Sequence, residues 1–245
     1  MVLALLSDVH ANLEALEACL KHARESGATR FAFLGDLVGY GADAGAVVSV
    51  VMRHAHEGAL VVKGNHDDAI ARGAPYMNDA VRESIAWARE QLTPEQRDFL
   101  AALPLSRRDG RSFYVHASAA SPQRWTYIDS PAAALRSMRA GEAVYTFGGH
   151  VHEQVLYAEV EAGAKEHRPV SASAINVASH RRWLALVGSV GQPRDGRPAA
   201  GYAIFDEPRA RITFYRVPYD HDAAAGKIRN AGLSAALAYR VARGV

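Results

Sequence analysis

Five short apolar runs in this sequence each end in side chains that can bind a metal ion. The run 3–6 leads into Ser7-Asp8-Val9-His10, 31–34 into Gly35-Asp36, and 60–62 into Lys63-Gly64-Asn65-His66-Asp67. The run 113–115 ends at His116, and 144–147 leads into Gly148-Gly149-His150-Val151-His152. Asp8 and His10 are two residues apart, so at an extended strand end they point to the same side. His150 and His152 repeat that spacing. The set Asp8, His10, Asp36, Asn65, His116, His150 and His152 offers two carboxylates, one amide oxygen and four imidazoles. Oxygen and nitrogen donors without thiolate suit Mn, Fe, Zn, Co or Ni. Seven side chains exceed the needs of one small ion. They suit two ions with one carboxylate shared.

The elements that must position these residues are legible in outline. Residues 2–6 form a continuous apolar run, as in a strand buried on both faces. A helix over 12–25 follows, with Leu13, Leu16, Leu20 and Ala23 at helical spacing and Gly27 past its end. A strand at 31–34, a helix over 46–56 and a strand at 60–62 complete a βαβαβ rhythm, which implies a largely parallel sheet. In open α/β sheets the carboxyl ends of the strands form the binding crevice. Residues 68–104 read as a helical insertion, a candidate cap. Within it, Val81, Ile85, Ala88 and Leu92 form one apolar face, and Thr93-Pro94-Glu95-Gln96 is a capping box that starts a second helix. The second half predicts strands at 112–115, 143–147, 155–158, 184–187, 202–205 and 212–217. A helix runs from Ser130-Pro131 to Gly141, and C-terminal helices in 220–245 break near Gly232. A parallel sheet with its helices, followed by a strand-rich half, suggests two sheets face to face with helices outside.

Asp-x-His, Gly-Asp, Gly-Asn-His-Asp, a lone His and Gly-His-x-His occur here in that order. The set resembles the calcineurin-like metallophosphoesterases over roughly residues 2–190. The stretch from Gly188 to Gly196 is similar to the small bacterial and archaeal phosphodiesterase branch of that family. The resemblance implies an α/β fold: a four-layer α/β/β/α sandwich of two mixed sheets, here with a helical cap insertion in one domain over 1–245. It implies that Asp8, His10, Asp36 and His152 hold a first metal, and that Asp36, Asn65, His116 and His150 hold a second. It further implies that His66 is the general acid and that Asp67 steadies it. The expected activity is phosphodiesterase or phosphatase action on small phosphate esters. Two divalent ions with two carboxylates leave a surplus of positive charge to attract phosphate. A bridging water between ions about 3.5–4 Å apart is deprotonated near neutral pH and becomes the nucleophile. Manganese is among the expected ions.

Other readings of the same fold are a non-catalytic scaffold for protein partners, a protein phosphatase and a nuclease. The scaffold is disfavoured because His66 and all seven ligands are present. Gly35-Asp36-Leu37-Val38-Gly39-Tyr40-Gly41 carries no Arg, which disfavours a phosphoprotein or a symmetric dinucleoside tetraphosphate as substrate. Arg124, Arg181 and Arg194 are candidates for a phosphate clamp. Arg194 and Asn65 are taken as substrate-binding. A net charge of +2 over 245 residues is too small for a nucleic-acid footprint. One cysteine, Cys19, excludes an internal disulfide and a thiolate-rich zinc site. Cys19 shares a face with Leu16 and Leu20 and is expected to be buried. No apolar run reaches the ~20 residues that span a bilayer, and a cytoplasmic location is expected. His22, His54 and His56 lie among polar neighbours and read as a solvated face.

Overall fold

A computed structural model describes residues 2–75 and 77–245, with Met1 and Tyr76 outside the described residues. Two six-stranded mixed sheets pack face to face. The first is built around β1 (Val2–Leu6), β2 (Arg30–Phe33) and β3 (Leu60–Val61), which are parallel. The helices α1 (Leu13–Glu25) and α2 (Ala44–His56) connect them. On the other side of β1, β11 (Ala199–Asp206), β12 (Arg211–Pro218) and β9 (Ala174–Asn176) follow in antiparallel order. The second sheet runs β4 (Ser106–Asp109), β5 (Ser112–Val115), β6 (Tyr145–Gly148), β10 (Trp183–Val187), β7 (Gln154–Val160) and β8 (Gly163–His167). Within it β5, β6 and β10 are parallel.

The period-2 geometry of β1 explains its unbroken apolar sequence. Leu3 and Leu5 face the second sheet and pack with Tyr114, Phe147, Phe205 and Phe214. Ala4 and Leu6 face the other way, onto α1 and α2 through Leu16, Leu20, Val47 and Val51. A helical layer thus covers the first sheet. It includes α7 (His221–Asn230) and α8 (Ala235–Arg243), on either side of Gly232. The outer face of the second sheet is covered by α6 (Pro131–Gly141), through Ala134 and Met138 on Leu184 and Leu186. The order of layers is α/β/β/α, as expected from the sequence.

Three helices fill the segment between the two sheets' first halves: α3 (Asn65–Arg72), α4 (Asp79–Gln91) and α5 (Pro94–Ala102). Thr93 caps α5, accepting from Gln96 N at 3.2 Å, while Gln96 Oε1 accepts from Thr93 N at 3.0 Å. The Gln96 amide also donates to Gly45 O and Ser49 Oγ, both at 2.9 Å, which ties α5 to α2. Ser84 on α4 accepts from Tyr40 N at 3.1 Å and so fastens the insertion to the loop after β2.

Three expectations change. The strands β4, β8 and β9 were not foreseen; all three lie at or near sheet edges, where polar sequence is tolerated because only one neighbour supplies the ladder. His54 is not solvated. Only 7% exposed, its ring packs 4.9 Å from Phe31 and 5.7 Å from Phe33. His22 is half-buried, with Nδ1 2.6 Å from Tyr202 Oη. His56 is exposed, as read. Cys19 is buried, and burial pushes its thiol pKa upward. Among the described residues, no helix is long and apolar enough to cross a membrane.

Candidate metal centre

Seven side chains meet at the carboxyl ends of β1, β2, β3, β5 and β6, so both sheets contribute. The tips of β1 and β2 continue to zip together beyond the strands: Asp8 N donates to Gly35 O at 3.0 Å and His10 N to Asp36 O at 2.9 Å. To turn side chains inward there, the backbone adopts left-handed conformations at non-glycine residues. Asp8, His10, Asp36, His150 and His152 have φ of 53°, 48°, 54°, 68° and 65°. Each such residue costs of order 1 kcal/mol or more, and the cost is tolerated where neighbouring structure over-determines the conformation. These five residues sit among buried hydrogen bonds that do so.

Two clusters of donor atoms result. In the first, His10 Nε2 lies 3.1 Å from His152 Nε2, and His152 Nε2 lies 3.2 Å from Asp8 Oδ1. In the second, His116 Nε2 lies 3.4 Å from Asp36 Oδ2, 3.1 Å from His150 Nδ1 and 3.2 Å from Asn65 Oδ1. Asp36 Oδ2 also stands 3.8 Å from His10 Nε2, so this one oxygen faces both clusters. Its partner oxygen Oδ1 is fixed by His66 N at 2.9 Å. Three triads, Asp8–His10–His152, His10–Asp36–His66 and Asp36–His116–His150, have ligand atoms within 4.8 Å of one another.

The outer hydrogen bonds decide what those atoms want. His10 Nδ1 donates to Val38 O (3.2 Å), His116 Nδ1 to Leu34 O (2.8 Å) and His152 Nδ1 to Gln192 O (2.6 Å). A carbonyl can only accept, so each Nδ1 carries the proton, and in the neutral ring Nε2 is a lone pair. The lone pairs of His10 and His152 then point at each other across 3.1 Å. Lone pairs converging with carboxylate oxygens at that distance repel unless a cation lies between them. Outer-shell carbonyls that set the tautomer in this way accompany metal-binding histidines.

The charge balance is consistent with that need. Burial opposes ionisation of Asp36, but His116, His66 and His10 outweigh it and hold the carboxyl well below the usual range. Burial likewise opposes the charged His116 ring, but Asp36 and Asp8 push its pKa up to about 9. Burial holds His10 far below its ordinary value, and burial with the neighbouring His116 brings His150 down to about 4. The buried carboxylates thus favour positive charge at the position His116 faces, whether a proton on its ring or an ion beside it.

His66 lies at the rim of both clusters, with Nε2 3.9 Å from Asp36 Oδ2 and Nδ1 buried without a hydrogen-bond partner. Gly39 makes room for it, since a Cβ at Gly39 would overlap His66 Nδ1. Asp67 is placed differently from the expectation. Its carboxylate accepts from Gly64 N (2.9 Å), Asp36 N (2.9 Å) and Leu37 N (2.8 Å). It holds the loops that carry Asp36 and Asn65, and no hydrogen bond joins it to the His66 ring among the described residues. The physical reason is its position in the first turn of α3, where a carboxylate satisfies free amides before it reaches a neighbour's ring. Burial and the Asp36 charge push its pKa up to about 7, against the amides that favour the carboxylate.

A cavity of about 210 Å³ opens onto the centre, lined by Asp36, Asn65, His66, His150 and His152 together with Tyr40, Tyr127 and Arg194. Met77, Asn78 and Val81 close one side, so the helical insertion does border the site. Of the three candidate clamps, Arg194 reaches this cavity; its Nη2 lies 3.2 Å from Gln192 Oε1 and 3.4 Å from Tyr40 Oη. Arg124 lines an adjoining cavity, and Arg181 pairs with His180 elsewhere. Reading the sequence missed Tyr40, Tyr127 and Gln192. Tyr127 stacks on His150 at 4.1 Å and 24°, but it follows no motif. Gln192 holds His152 through its backbone carbonyl, which leaves no trace in residue type.

The sequence profile of the calcineurin-like phosphoesterase superfamily domain matches residues 1–209. The chain belongs to that superfamily. An uncharacterized protein from Methanocaldococcus jannaschii is 32% identical over 233 residues, covering 93% of this chain and 91% of the relative. The crystal structure of a metallophosphoesterase from Sphaerobacter thermophilus is 36% identical, with a TM-score of 0.90 over 100% of this chain and 99% of that one. A hypothetical protein from Pyrococcus horikoshii shares the fold at 20% identity, with a TM-score of 0.79 over 100% and 98% of the two chains. The superfamily uses divalent metal ions, and the buried Asp–His clusters described above are the places in this member that could hold them.

Proposed function

We propose that this protein hydrolyses small-molecule phosphate esters, monoesters or diesters, using two divalent transition-metal ions. The observation that carries the reading is the pair of clusters sharing Asp36 Oδ2, each with imidazole lone pairs turned inward by backbone carbonyls. Asp8, His10, Asp36 and His152 hold one ion; Asp36, Asn65, His116 and His150 hold the other. The donor set is oxygen and nitrogen, which suits Mn, Fe, Zn, Ni or Co. When bound, such ions supply Lewis-acid charge and lower the pKa of water to near neutrality.

The chain's own groups do the rest. Arg194 and the Asn65 amide orient the phosphoryl oxygens in the cavity, a charge-assisted contact in the case of Arg194. His66 delivers a proton to the leaving oxygen. Burial lowers its pKa and the Asp36 carboxylate opposes that shift, as an anionic ester entering the cavity would. Asp67 positions Asp36 and the start of α3. Met77, Asn78 and Val81 wall the cavity to a volume that suits a phosphate head.

Metal analysis with activity assays on bis-p-nitrophenyl phosphate and p-nitrophenyl phosphate, across Mn²⁺, Zn²⁺, Ni²⁺ and Co²⁺, tests this. Turnover of at least one ester is expected with about two ions per chain. Inactivity with every metal on both esters sinks the hydrolytic reading. His66→Ala should lower kcat by about 10²–10⁴ with metal content unchanged. Loss of metal in that variant reassigns His66 as a ligand.

A further inference from the structure

The cavity at the metal centre is too small for a whole organic phosphate. Its volume of about 210 Å³ lies below the roughly 300–1,000 Å³ of typical small-molecule sites. The remainder of a substrate must extend past the rim, and the walls show where. Tyr127 lines this cavity and also lines a neighbouring one of about 230 Å³, with Ser118, Ser121, Arg124, Thr126 and Arg136. Taken together the two spaces reach the typical range.

Tyr127 is built as a divider. It is 51% exposed, unusual for a large ring, and one face is occupied by His150. Ser118 lies two residues after the ligand His116, so the segment forming the second cavity is continuous with the metal centre. A turn at Pro122–Arg124 ends at Trp125, whose left-handed backbone (φ 52°) redirects the chain toward Tyr127.

Two exposed arginines, Arg124 and Arg136, stand on the second cavity. Neither Arg124 nor Arg136 makes an ion pair among the described residues. The contrast is a third cavity, lined by Glu142, Glu159, Arg181 and Arg182, where Arg182 pairs with Glu159 at 3.0 Å. Two exposed guanidinium groups on one hollow, with hydroxyls beside them, can each present paired N–H donors to the oxygens of a tetrahedral phosphate.

We propose that this second cavity is a subsite for a second phosphate group, so that the preferred substrates are small molecules bearing two phosphates. The scissile one enters the metal centre, and the other is held by Arg124 and Arg136 across Tyr127. The inference rests on the phosphoesterase reading for its metal-centre half. In metal-loaded protein, kcat/KM for adenosine 3′,5′-bisphosphate should exceed that for adenosine 5′-monophosphate by about tenfold or more, an energy one charged contact can supply. In Arg124→Ala/Arg136→Ala that ratio should collapse toward one, through KM. Equal rates on the two nucleotides in the wild type overturn the subsite, as does an equal fall on both in the double variant. Should no ester be turned over, calorimetry on the same metal-loaded protein separates the two claims. Tighter binding of the bisphosphate that is lost in the double variant upholds the subsite without hydrolysis; equal binding of both nucleotides removes it.

Discussion

The two clusters share an oxygen yet are built to different standards. In the first, Asp8, His10 and His152 are at most 3% exposed, and both imidazoles are anchored by backbone carbonyls. Asp8 is further fixed by His150 N, at 3.2 and 3.0 Å to its two oxygens. In the second, one imidazole of two is anchored in that way. His150 faces the cluster through Nδ1, and its buried Nε2 has no hydrogen-bond partner. Its ring is held by Tyr127, itself half exposed, and Asn65 is partly open to the cavity. Under the proposed two-ion reading, the difference separates two demands: one ion held fast by the first cluster, the other facing substrate from the second.

The largest effect should come from removing what the clusters share. Asp36→Asn is expected to drop metal content below one ion per chain and activity by more than about 100-fold, since even outer-shell losses cost 10–100-fold. Two ions retained, measured by elemental analysis, would break the bridging assignment. Gly149→Ala strikes the first cluster most directly, because a Cβ there overlaps Ser7 Oγ and Asp8 Oδ2. It should destabilise the fold by about 1–3 kcal/mol and release the tightly held ion. Chelator titration of the wild type should be biphasic, the first ion leaving at about tenfold lower chelator than the second. Gly149→Ala should move the later phase. A single phase would erase the distinction.

The smallest expected effect lies outside both clusters. His54 sits against Phe31 and Phe33, between Arg24 (3.2 Å) and Glu57 (3.7 Å). Burial first, and Arg24 second, hold its pKa below the ordinary 6.5. The unfolded chain therefore binds a proton at His54 more readily than the folded one. Its contribution to stability is complete above about pH 6.5 and is lost as pH falls through that value toward the folded pKa. His54→Phe should flatten the decline in urea-unfolding free energy between pH 8 and pH 5.5 relative to wild type. An unchanged slope would place the titration in the clusters instead.

How much of this was legible follows from where the information sits. The convergence of these seven side chains was readable because each stands just past an apolar run, and a parallel sheet gathers strand ends. Two sheets with helices outside were readable from the order of elements, a parallel sheet with its helices followed by a strand-rich half, and the four layers from the family resemblance; the apolar run of β1 showed only that it needs a cover on each side. Asp67 was misread because a carboxylate beside a histidine has two plausible partners, and free amides reached it first. His54 was misread because its apolar partners lie on β2, far from it in sequence. The strands β4, β8 and β9 carry sequences such as Ser-Arg-Arg-Asp, which pair only because a neighbour presents a ladder.

The three amides gathered by Asp67 have one more consequence. They bind the tips of β2 and β3 with the chain's own atoms, and carbonyls of Leu34, Val38 and Gln192 aim the rings without help from outside. The loop tips and the ring orientations of both clusters are therefore fixed by the chain's own backbone, so a substitution that moves one of those carbonyls or amides disturbs the clusters without touching any side chain in them.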